Sequence, residues 1–363
     1  MNKTTPDIMS GSKKETKLCP VPIVTQDPRF KAGRNLIQKG LAAHGAVEIF
    51  ESLAEEAGNK FGESSIEASP AYFEYGNALL RAFNRRNMEV EDRNDAGPTD
   101  DPKEAAAKAA EKRLEQKQES VNDADSKPPA SKAGETDEAS KEPPSVTTAA
   151  ETENDNNDDE DEHGELKLAL EMMENAYSIM DEHSSEKDGK YQKWVKEAIP
   201  RALLGIGDTL STLDRHADGA DAYSRALEWY QDQLDSFAKD TMSMEYLKAH
   251  RRVCEATILV AEELLFCPAG EDVVTNETKS LIVKAAERVD YITGYYDRAR
   301  DSLQDTLFFM AKLAASGADI AAEKDEICHL STMIMGVGMG LSEAQEGEAN
   351  DSAAEPAKKK AKL

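Results

Sequence analysis

The stretch "LLGIGDTLSTLDRHADGADAYSRALEWY" (203–230) decides the fold class of this chain. Leu203, Ile206 and Leu210 recur at spacings of three and four residues, which places them on one face of a helix. Twelve residues after Gly207 a second helical face begins, in which two small residues flank a large one: Gly219, Tyr223 and Ala226. Small residues let two helices approach closely, and the large residue fills the gap. The stretch therefore predicts a pair of packed helices.

The same small–x3–large–x2–small pattern occurs twice more, in "AVEIFESLAEEA" (46–57) and "ALEMMENAYSIM" (169–180). A first helix with a central glycine is predicted at "YFEYGNALL" (72–80). This arrangement is typical of tetratricopeptide (TPR) repeats, in which each unit is a pair of helices. We find no alternating strand pattern flanked by hairpin turns. We therefore predict an all-α fold, a TPR superhelix of about four repeats with C-terminal capping helices.

The fourth repeat is degenerate. Its first helix is predicted at 246–266 and its second at 279–296, with an apolar face of Ile282, Ala286 and Val289. Further helices near 297–316 and 320–343 are expected to cap the stack. Each glycine of "MGVGMG" (335–340) costs about 1 kcal/mol in a helix interior, so we expect the last helix to fray or end there.

Charge is distributed unevenly along the 363 residues, whose formal net charge is −27. Residues 89–164 contain 24 acidic and nine basic side chains and no aromatic residue. Such a segment buries too little apolar surface to offset the entropy of ordering, so we predict that it is disordered. It follows the first helix at 72–80, whose partner helix comes only at 166–180. The acidic segment is therefore interpreted as an insert within one repeat.

These observations divide the chain into five parts. They are a disordered N-terminal tail (1–29), the first repeat with the first helix of the second (30–86), the disordered acidic insert (87–164), the rest of the array with its capping helices (165–343), and a disordered tail (344–363).

Catalysis and metal binding have little support in the sequence. The six histidines are dispersed, the four cysteines form no CxxC pair, and neither a phosphate-binding loop nor a nucleophile elbow is found. We therefore predict no catalytic residue, no metal and no cofactor. No apolar run approaches the roughly 20 residues of a membrane span, so no membrane association is expected.

The densest acidic stretch lies directly before the helix at 166–180. It lacks the central glycine and alternating oxygen ligands of a calcium loop, so it is not predicted to bind calcium. Two interpretations of the stretch stay open: a solvated linker or a site that binds basic proteins. A run of carboxylates resembles nucleic acid in charge density and attracts basic proteins rather than DNA. The predicted acidic tract comprises Glu151, Glu153, Asp155, Asp158, Asp159, Glu160, Asp161 and Glu162.

The chain ends in the basic cluster "EPAKKKAKL" (355–363). Lys358, Lys359, Lys360 and Lys362 fit a short nuclear import signal, and the plain alternative is a solvated charged tail. We expect a nuclear protein, able to shuttle with the cytoplasm, that binds an import receptor.

The concave face of a TPR array is lined by the first helices. Many arrays bind a C-terminal carboxylate there, and Lys31, Asn35 and Arg201 occupy three of the positions used. Glu74 stands at another of these positions and would repel such a ligand. The groove is instead predicted to be acidic, from residues in or beside first helices: Asp208, Asp214, Glu255, Glu262 and Glu263.

The order of these segments resembles the SHNi-TPR family of histone chaperones, the relatives of the nuclear autoantigenic sperm protein. The resemblance rests on "AVEIFESLAEEAGNKFGE" (46–63), "AYFEYGNALL" (71–80), the acidic insertion inside the second repeat, and "LKLALEMMENAYSIM" (166–180), which resumes that repeat. It covers roughly 30–86 and 158–300.

The resemblance implies a nuclear chaperone of histones H3–H4, with linker histone as a further candidate and self-association left open. It implies that Asp208, Asp214 and Glu255 contact the histone, with Ile258 at a position where the family has an aromatic residue. The histone-binding groove is thus predicted to comprise Asp208, Asp214, Glu255, Ile258 and Glu262. The alternative function is a TPR scaffold or co-chaperone adaptor that binds non-histone peptides.

Overall fold

The computed structural model describes residues 20–39, 43–95, 158–186, 189–238, 242–268, 272–274 and 282–360. These residues form nine α-helices: α1 (Pro28–Gln38), α2 (Ala43–Phe61), α3 (Ser69–Asp95), α4 (Asp158–Ser184), α5 (Gln192–Thr212), α6 (His216–Asp235), α7 (Met244–Phe266), α8 (Arg288–Ala315) and α9 (Ala321–Lys360). An antiparallel pair of two-residue strands, β1 (Val273–Val274) and β2 (Ile282–Val283), joins α7 to α8. The predicted all-α fold class is confirmed.

The chain divides into two compact units, residues 1–83 with 161–363 and residues 84–160. The helix packing belongs to the first unit. Each helix from α5 to α8 packs against the next along the chain, and α9 packs against both α7 and α8.

Three helix pairs make the same close contact. A Cβ atom added to Gly33 of α1 would lie 2.6 Å from Phe50 of α2, and one on Gly207 of α5 would lie 2.7 Å from Cδ1 of Tyr223 of α6. In the pair α3 and α4, a Cβ on Gly76 would lie 2.6 Å from the backbone oxygen of Ala169 and 2.7 Å from Cγ of Met173. The large residues Phe50, Met173 and Tyr223 are at most 2% exposed. Only glycine admits helices at this separation.

The fourth pair, α7 with α8, is displaced from its predicted position. The helix expected at 279–296 begins only at Arg288, because the β-branched residues before it pair with Val273 and Val274 as strand β2. The small–large–small stripe of this pair is Ala299, Leu303 and Thr306, and Cys254 of α7 meets it with its sulfur 3.3 Å from the backbone oxygen of Ala299. The predicted face of Ile282, Ala286 and Val289 is therefore wrong.

Helix α9 continues through the glycines at which we expected it to fray. A Cβ on Gly338 would lie 3.0 Å from the hydroxyl of Tyr296, and one on Gly340 would lie 3.2 Å from Leu265. These two glycines therefore let α9 lie close to α8 and α7. Its buried stripe is Ile327, Leu330, Ile334, Val337 and Leu341. The prediction that the helix frays or ends at these glycines is wrong, because Gly338 and Gly340 allow α9 to pack closely against α8 and α7.

Three predicted boundaries also need correction. The N-terminal tail was expected to reach residue 29, but Val24 and Phe30 are buried, and the Asp27 carboxylate caps α1 by accepting the Arg29 backbone N–H at 2.8 Å. Helix α3 extends to Asp95 and α4 begins at Asp158, so the ends of the predicted insert are helical. Acidic residues stabilise a helix N-terminus, which accounts for the early start of α4. Helix α9 likewise runs into the predicted tail, as far as Lys360; the remainder of the predicted insert and tails lies outside the described residues.

Candidate protein-binding surface

The helices α1, α3, α5 and α7 share one surface, here called the inner face. A cavity of about 410 Å³ is lined by residues from all four helices, among them Lys31 of α1, Phe73 of α3, Trp194 of α5 and Arg252 of α7. These are the helices that the sequence assigned as first helices, so their side chains can act together on one ligand.

Asp208 lies on the inner face near the C-terminal end of α5. It is open to solvent, and it accepts a hydrogen bond of 2.7 Å from the Tyr223 hydroxyl. The pKa of Asp208 is nonetheless raised, because the surrounding protein removes much of the water that would stabilise its charge. The hydrogen bond from Tyr223 and, to a smaller extent, the charge of Arg81 offset this effect in part. Solvent access on one side with protein on the others is expected of a carboxylate on a concave surface.

Glu255 lies on the neighbouring inner helix, α7, with 31% of its side chain exposed. Loss of hydration raises its pKa, and the charges of Glu326 and Asp208 raise it further, against the lowering effect of Arg251. Asp208, Glu255 and Glu326 are here called the acidic patch; loss of hydration disfavours the charges of Asp208 and Glu255 in it.

Arg251 stabilises the edge of this acidic patch. Its guanidinium lies 3.4 Å from Glu255, 3.1 Å from Glu323 and 3.4 Å from Glu326. Lys248 lies 3.7 Å from Glu323 as well, so two cations pair with these three carboxylates.

The other predicted groove residues are placed differently. Glu262 is half-buried two turns after Glu255, and its pKa is raised by burial and by the charge of Glu263. Asp214 is 97% exposed in the turn between α5 and α6, where it takes a positive φ of 57°. Ile258 is 0% exposed.

Asp214 and Ile258 are therefore corrected as groove residues. Asp214 ends α5: its N–H donates to the Ser211 oxygen and the next N–H, of Arg215, donates to the Leu210 oxygen, the pattern of a helix C-terminus closed by a left-handed residue. Ile258 belongs to the inward stripe of α7 with Cys254 and packs in the core. It offers a ligand no surface.

The cavity itself is not acidic, which corrects the predicted negative charge of the groove in this part of the inner face. Among the described residues, the lining contains four cationic side chains (Lys31, Arg34, Arg201 and Arg252) and two carboxylates, Glu74 and Glu197. Sequence reasoning placed Lys31, Arg201 and Arg252 in first helices but missed Arg34. The signal for Arg34 was its position one turn after Lys31 on the same helix.

The predicted acidic tract and import signal are described only in part. Glu151, Glu153 and Asp155 lie outside the described residues, whereas residues 158–162 form the first turn of α4. Lys358, Lys359 and Lys360 end α9, and Lys362 lies outside the described residues.

In the part of the chain that the structure describes, no group of three or more histidine, cysteine, aspartate or glutamate side chains could hold a metal ion. No helix there is long and apolar enough to cross a bilayer.

No protein-family model matches the chain, and no curated protein matches it. The fold defines the class as an all-α protein of packed helix pairs. Its function is therefore inferred from the chemistry of its own inner face.

Proposed function

We propose that the chain is a TPR-type histone chaperone of the nucleus that binds H3–H4 without catalysing a reaction. The repeated glycine contacts of three helix pairs support the TPR assignment. The order of the segments along the sequence, which resembles the SHNi-TPR family, supports the choice of ligand.

The acidic patch is the observation that carries the proposal. Asp208 and Glu255 lose hydration on the inner face, and the charges of Asp208 and Glu326 both disfavour that of Glu255. A lysine or arginine side chain placed there would add opposite charge and lower the pKa values of both Asp208 and Glu255. A basic partner therefore gains more from these two carboxylates than from carboxylates on an open surface.

The acidic insert has a separate role in this mechanism. Its excess charge attracts histones over a distance, and salt weakens that attraction because the Debye length falls to roughly 3 Å at 1 M ionic strength. The inner face then provides the contacts of short range that distinguish one basic protein from another. The chaperone would shield histone surface until DNA or another chaperone receives it.

A TPR scaffold or co-chaperone adaptor is the second candidate, and the cationic lining of the cavity favours it. However, the Glu74 carboxylate lies between two of these cations, 3.3 Å from Arg34 and 3.6 Å from Arg201, where a ligand carboxylate would have to bind. This arrangement counts against a clamp for the C-terminal carboxylate of a heat-shock protein.

Binding measurements with three ligands separate the two candidates. The purified chain is titrated with H3–H4, with the other core-histone dimer and with a heat-shock chaperone C-terminal peptide, at about 0.15 and about 0.5 M salt. A variant in which the acidic residues of 96–157 become Asn and Gln tests the insert without changing its length.

The chaperone proposal predicts that H3–H4 binds most tightly and that part of its affinity survives both the higher salt and neutralisation of the insert. No H3–H4 binding at the lower salt would refute it. If all three ligands bind equally, and if neutralising residues 96–157 abolishes that binding, the chain acts only as a non-specific polyanion. Preference for the heat-shock peptide would establish the adaptor.

A further inference from the structure

We propose that an exposed face of α9 binds an amphipathic helix of another protein and so completes a fifth helix pair. The helix that it accepts carries one apolar stripe, lysines near its start and acidic residues near its end. The face is called the α9 docking face below and is defined by Lys324, Cys328, Met335, Met339 and Glu346. It uses none of the inner-face residues that carry the histone proposal, so it goes beyond that function.

Helix α9 takes the position of a first helix in the stack. Arg251, in the first half of α7, lies 3.1 Å from Glu323 at the start of α9. Leu265, in the last turn of α7, lies 3.2 Å from a Cβ placed on Gly340, well along α9. The two helices therefore run parallel. Since each repeat is an antiparallel pair, the first helices of successive repeats are parallel in the same way.

The side of α9 on which a second helix would pack is open. Helices α5 and α7 each pack against the helix that comes next in the chain, whereas α9 packs against α7 and α8, which precede it. Its stripe on that side includes Ile327, Ile334 and Leu341. The α9 docking face lies roughly 130° around the helix from this stripe, since each residue advances about 100°. Its side chains are exposed, so this side can receive a further helix.

Two methionines stand at the centre of the α9 docking face. Met335 is 61% exposed and Met339 is 66% exposed, although the end helix of a repeat stack normally presents a polar surface to water. Ser331 and Ser342 flank them, and each hydroxyl already donates to a backbone oxygen one turn earlier, at 3.0 Å. A partner helix can therefore bury the methionines and cover both serines without leaving a hydroxyl unsatisfied.

Charge at the two ends of the face fixes the direction of the bound helix. Lys324 is exposed at one end, and Glu343 and Glu346 are exposed at the other. The second helix of a pair runs antiparallel to the first, so the ligand helix begins near Glu346 and ends near Lys324. Lysines near its start and carboxylates near its end therefore face opposite charges on α9.

Helix α9 continues past the point at which a second helix would have to turn back. Helix α5 ends after 21 residues, and the turn at Asp214 leads into α6. Helix α9 instead has 40 residues and reaches Lys360. The chain thus leaves the end of the docking face without returning along it, so the bound helix comes from another molecule.

A second copy of α9 is a poorer occupant than a different protein. Ser331, Met335 and Gly338 have the small–x3–large–x2–small spacing of a second helix, but Gly338 faces Tyr296, whose hydroxyl would lie 3.0 Å from an added Cβ. That stripe is therefore already used within the chain. Two copies would also bring together formal net charges of −27 each, which repel.

A synthetic peptide tests the proposed ligand. It has about 20 residues, which span roughly 30 Å as a helix, and carries the spacing of Gly219, Tyr223 and Ala226 from α6. Lysines fill the other positions of its first two turns, glutamates those of its last two turns, and alanine the rest. Binding of the dye-labelled peptide to the full chain is measured by fluorescence anisotropy at about 0.15 M salt.

The control peptide has the same residues with lysines and glutamates exchanged. Glutamates near the start and lysines near the end favour helix formation, so weaker binding of the control would not result from a loss of helix. We expect the first peptide to bind at least about fivefold more tightly than the control.

Two matched variants locate the binding. Met335→Gln changes the central methionine of the α9 docking face, and Met88→Gln makes the same change on α3, where Met88 is 68% exposed. We expect Met335→Gln to weaken peptide binding about fivefold and Met88→Gln to change it less than about twofold. Circular dichroism confirms that each variant keeps its helix content.

Three outcomes would overturn the inference. They are peptide binding no tighter than that of the control peptide, equal effects of the two methionine variants, and a chain that sediments alone as a dimer and becomes a monomer with Met335→Gln. The last outcome would assign the face to a second copy. Since no histone is present, a failure here leaves the proposed H3–H4 binding untouched.

Discussion

Gly207 has no room for a side chain, because a Cβ atom there would lie 2.7 Å from Cδ1 of Tyr223. Gly33 and Gly76 are similarly restricted by Phe50 and Met173. Glycine normally weakens a helix, so its presence at three equivalent contacts indicates that the close approach is worth more than the lost helix propensity.

Gly207→Ala should lower the free energy of unfolding by about 1–3 kcal/mol, because the added methyl group forces Tyr223 or α6 to move. Gly294→Ala on α8 is the matched control, since a Cβ there meets nothing within 4 Å. The control should stabilise the chain by up to about 1 kcal/mol. Urea denaturation measures both values. Equal effects of the two variants would contradict the packing described for α5 and α6.

The raised pKa of Asp208 predicts that the free energy of unfolding depends on pH. Its pKa in the folded chain is raised above the ordinary value of 3.8 by loss of hydration, so the folded state binds this proton more tightly than the unfolded state does. The contribution of Asp208 to stability is therefore largest below pH 3.8 and declines as the pH rises through the folded pKa.

Asp208→Asn keeps an acceptor for the Tyr223 hydroxyl and removes the charge. It should be more stable than the parent chain at pH 7, and the difference should shrink as the pH falls towards 4. Asp214→Asn, at the 97% exposed turn position, is the control. Urea titrations at several pH values give the comparison. A loss of stability at pH 7 in Asp208→Asn alone would show that the ionised carboxylate stabilises the fold.

Helix α9 packs against α7 and α8 through a single apolar stripe. Ile334 in that stripe is 6% exposed, whereas the adjacent Met335 is 61% exposed. Arg251 of α7 adds ion pairs to Glu323 and Glu326 near the start of α9. The helix therefore both completes the core and borders the acidic patch.

Ile334→Ala should cost about 2–4 kcal/mol, the range for deleting a buried aliphatic side chain. Met335→Ala, one position along, should cost about 0.5 kcal/mol or less because its side chain faces solvent. The midpoint of chemical denaturation measures both. A similar cost for the two variants would mean that α9 is not attached by this stripe.

The pairs α3–α4 and α5–α6 could be predicted from sequence, since a central glycine marks the first helix and the small–x3–large–x2–small pattern marks the second. For α1–α2 only the pattern of the second helix was recognised, and Gly33 was not. The fourth pair could not be predicted, because Cys254 replaces the glycine and a short strand pair displaces α8. The continuation of α9 was also missed, since the value of Gly338 depends on Tyr296, which lies some forty positions earlier in the chain.

The residues of the candidate binding surface could be predicted only in part, because some of their positions depend on helix packing that the sequence did not reveal. Asp208 and Glu255 could be assigned to first helices from the repeat register. The burial of Ile258 depends on packing against a helix whose position was mispredicted. The turn position of Asp214 follows from backbone hydrogen bonds that its residue type does not specify.

For the whole molecule, charge is segregated rather than uniformly acidic. The inner face carries a cationic cavity beside the N-terminal ends of α1, α3 and α5, and an acidic patch further along α5 and on α7. The formal net charge of −27 does not reveal that positive and negative side chains are separated on this face. In our account a basic partner is attracted by the acidic insert and then recognised by the acidic patch.

The most direct test of this account compares two double variants in H3–H4 binding at about 0.5 M salt, where exposed ion pairs are weak. Asp208→Asn with Glu255→Gln removes two charges from the inner face, while Glu171→Gln with Glu228→Gln removes two exposed charges from α4 and α6. We predict that the first pair weakens binding about tenfold and the second less than twofold. Unchanged affinity in the inner-face variant, with helix content intact, would contradict the central claim.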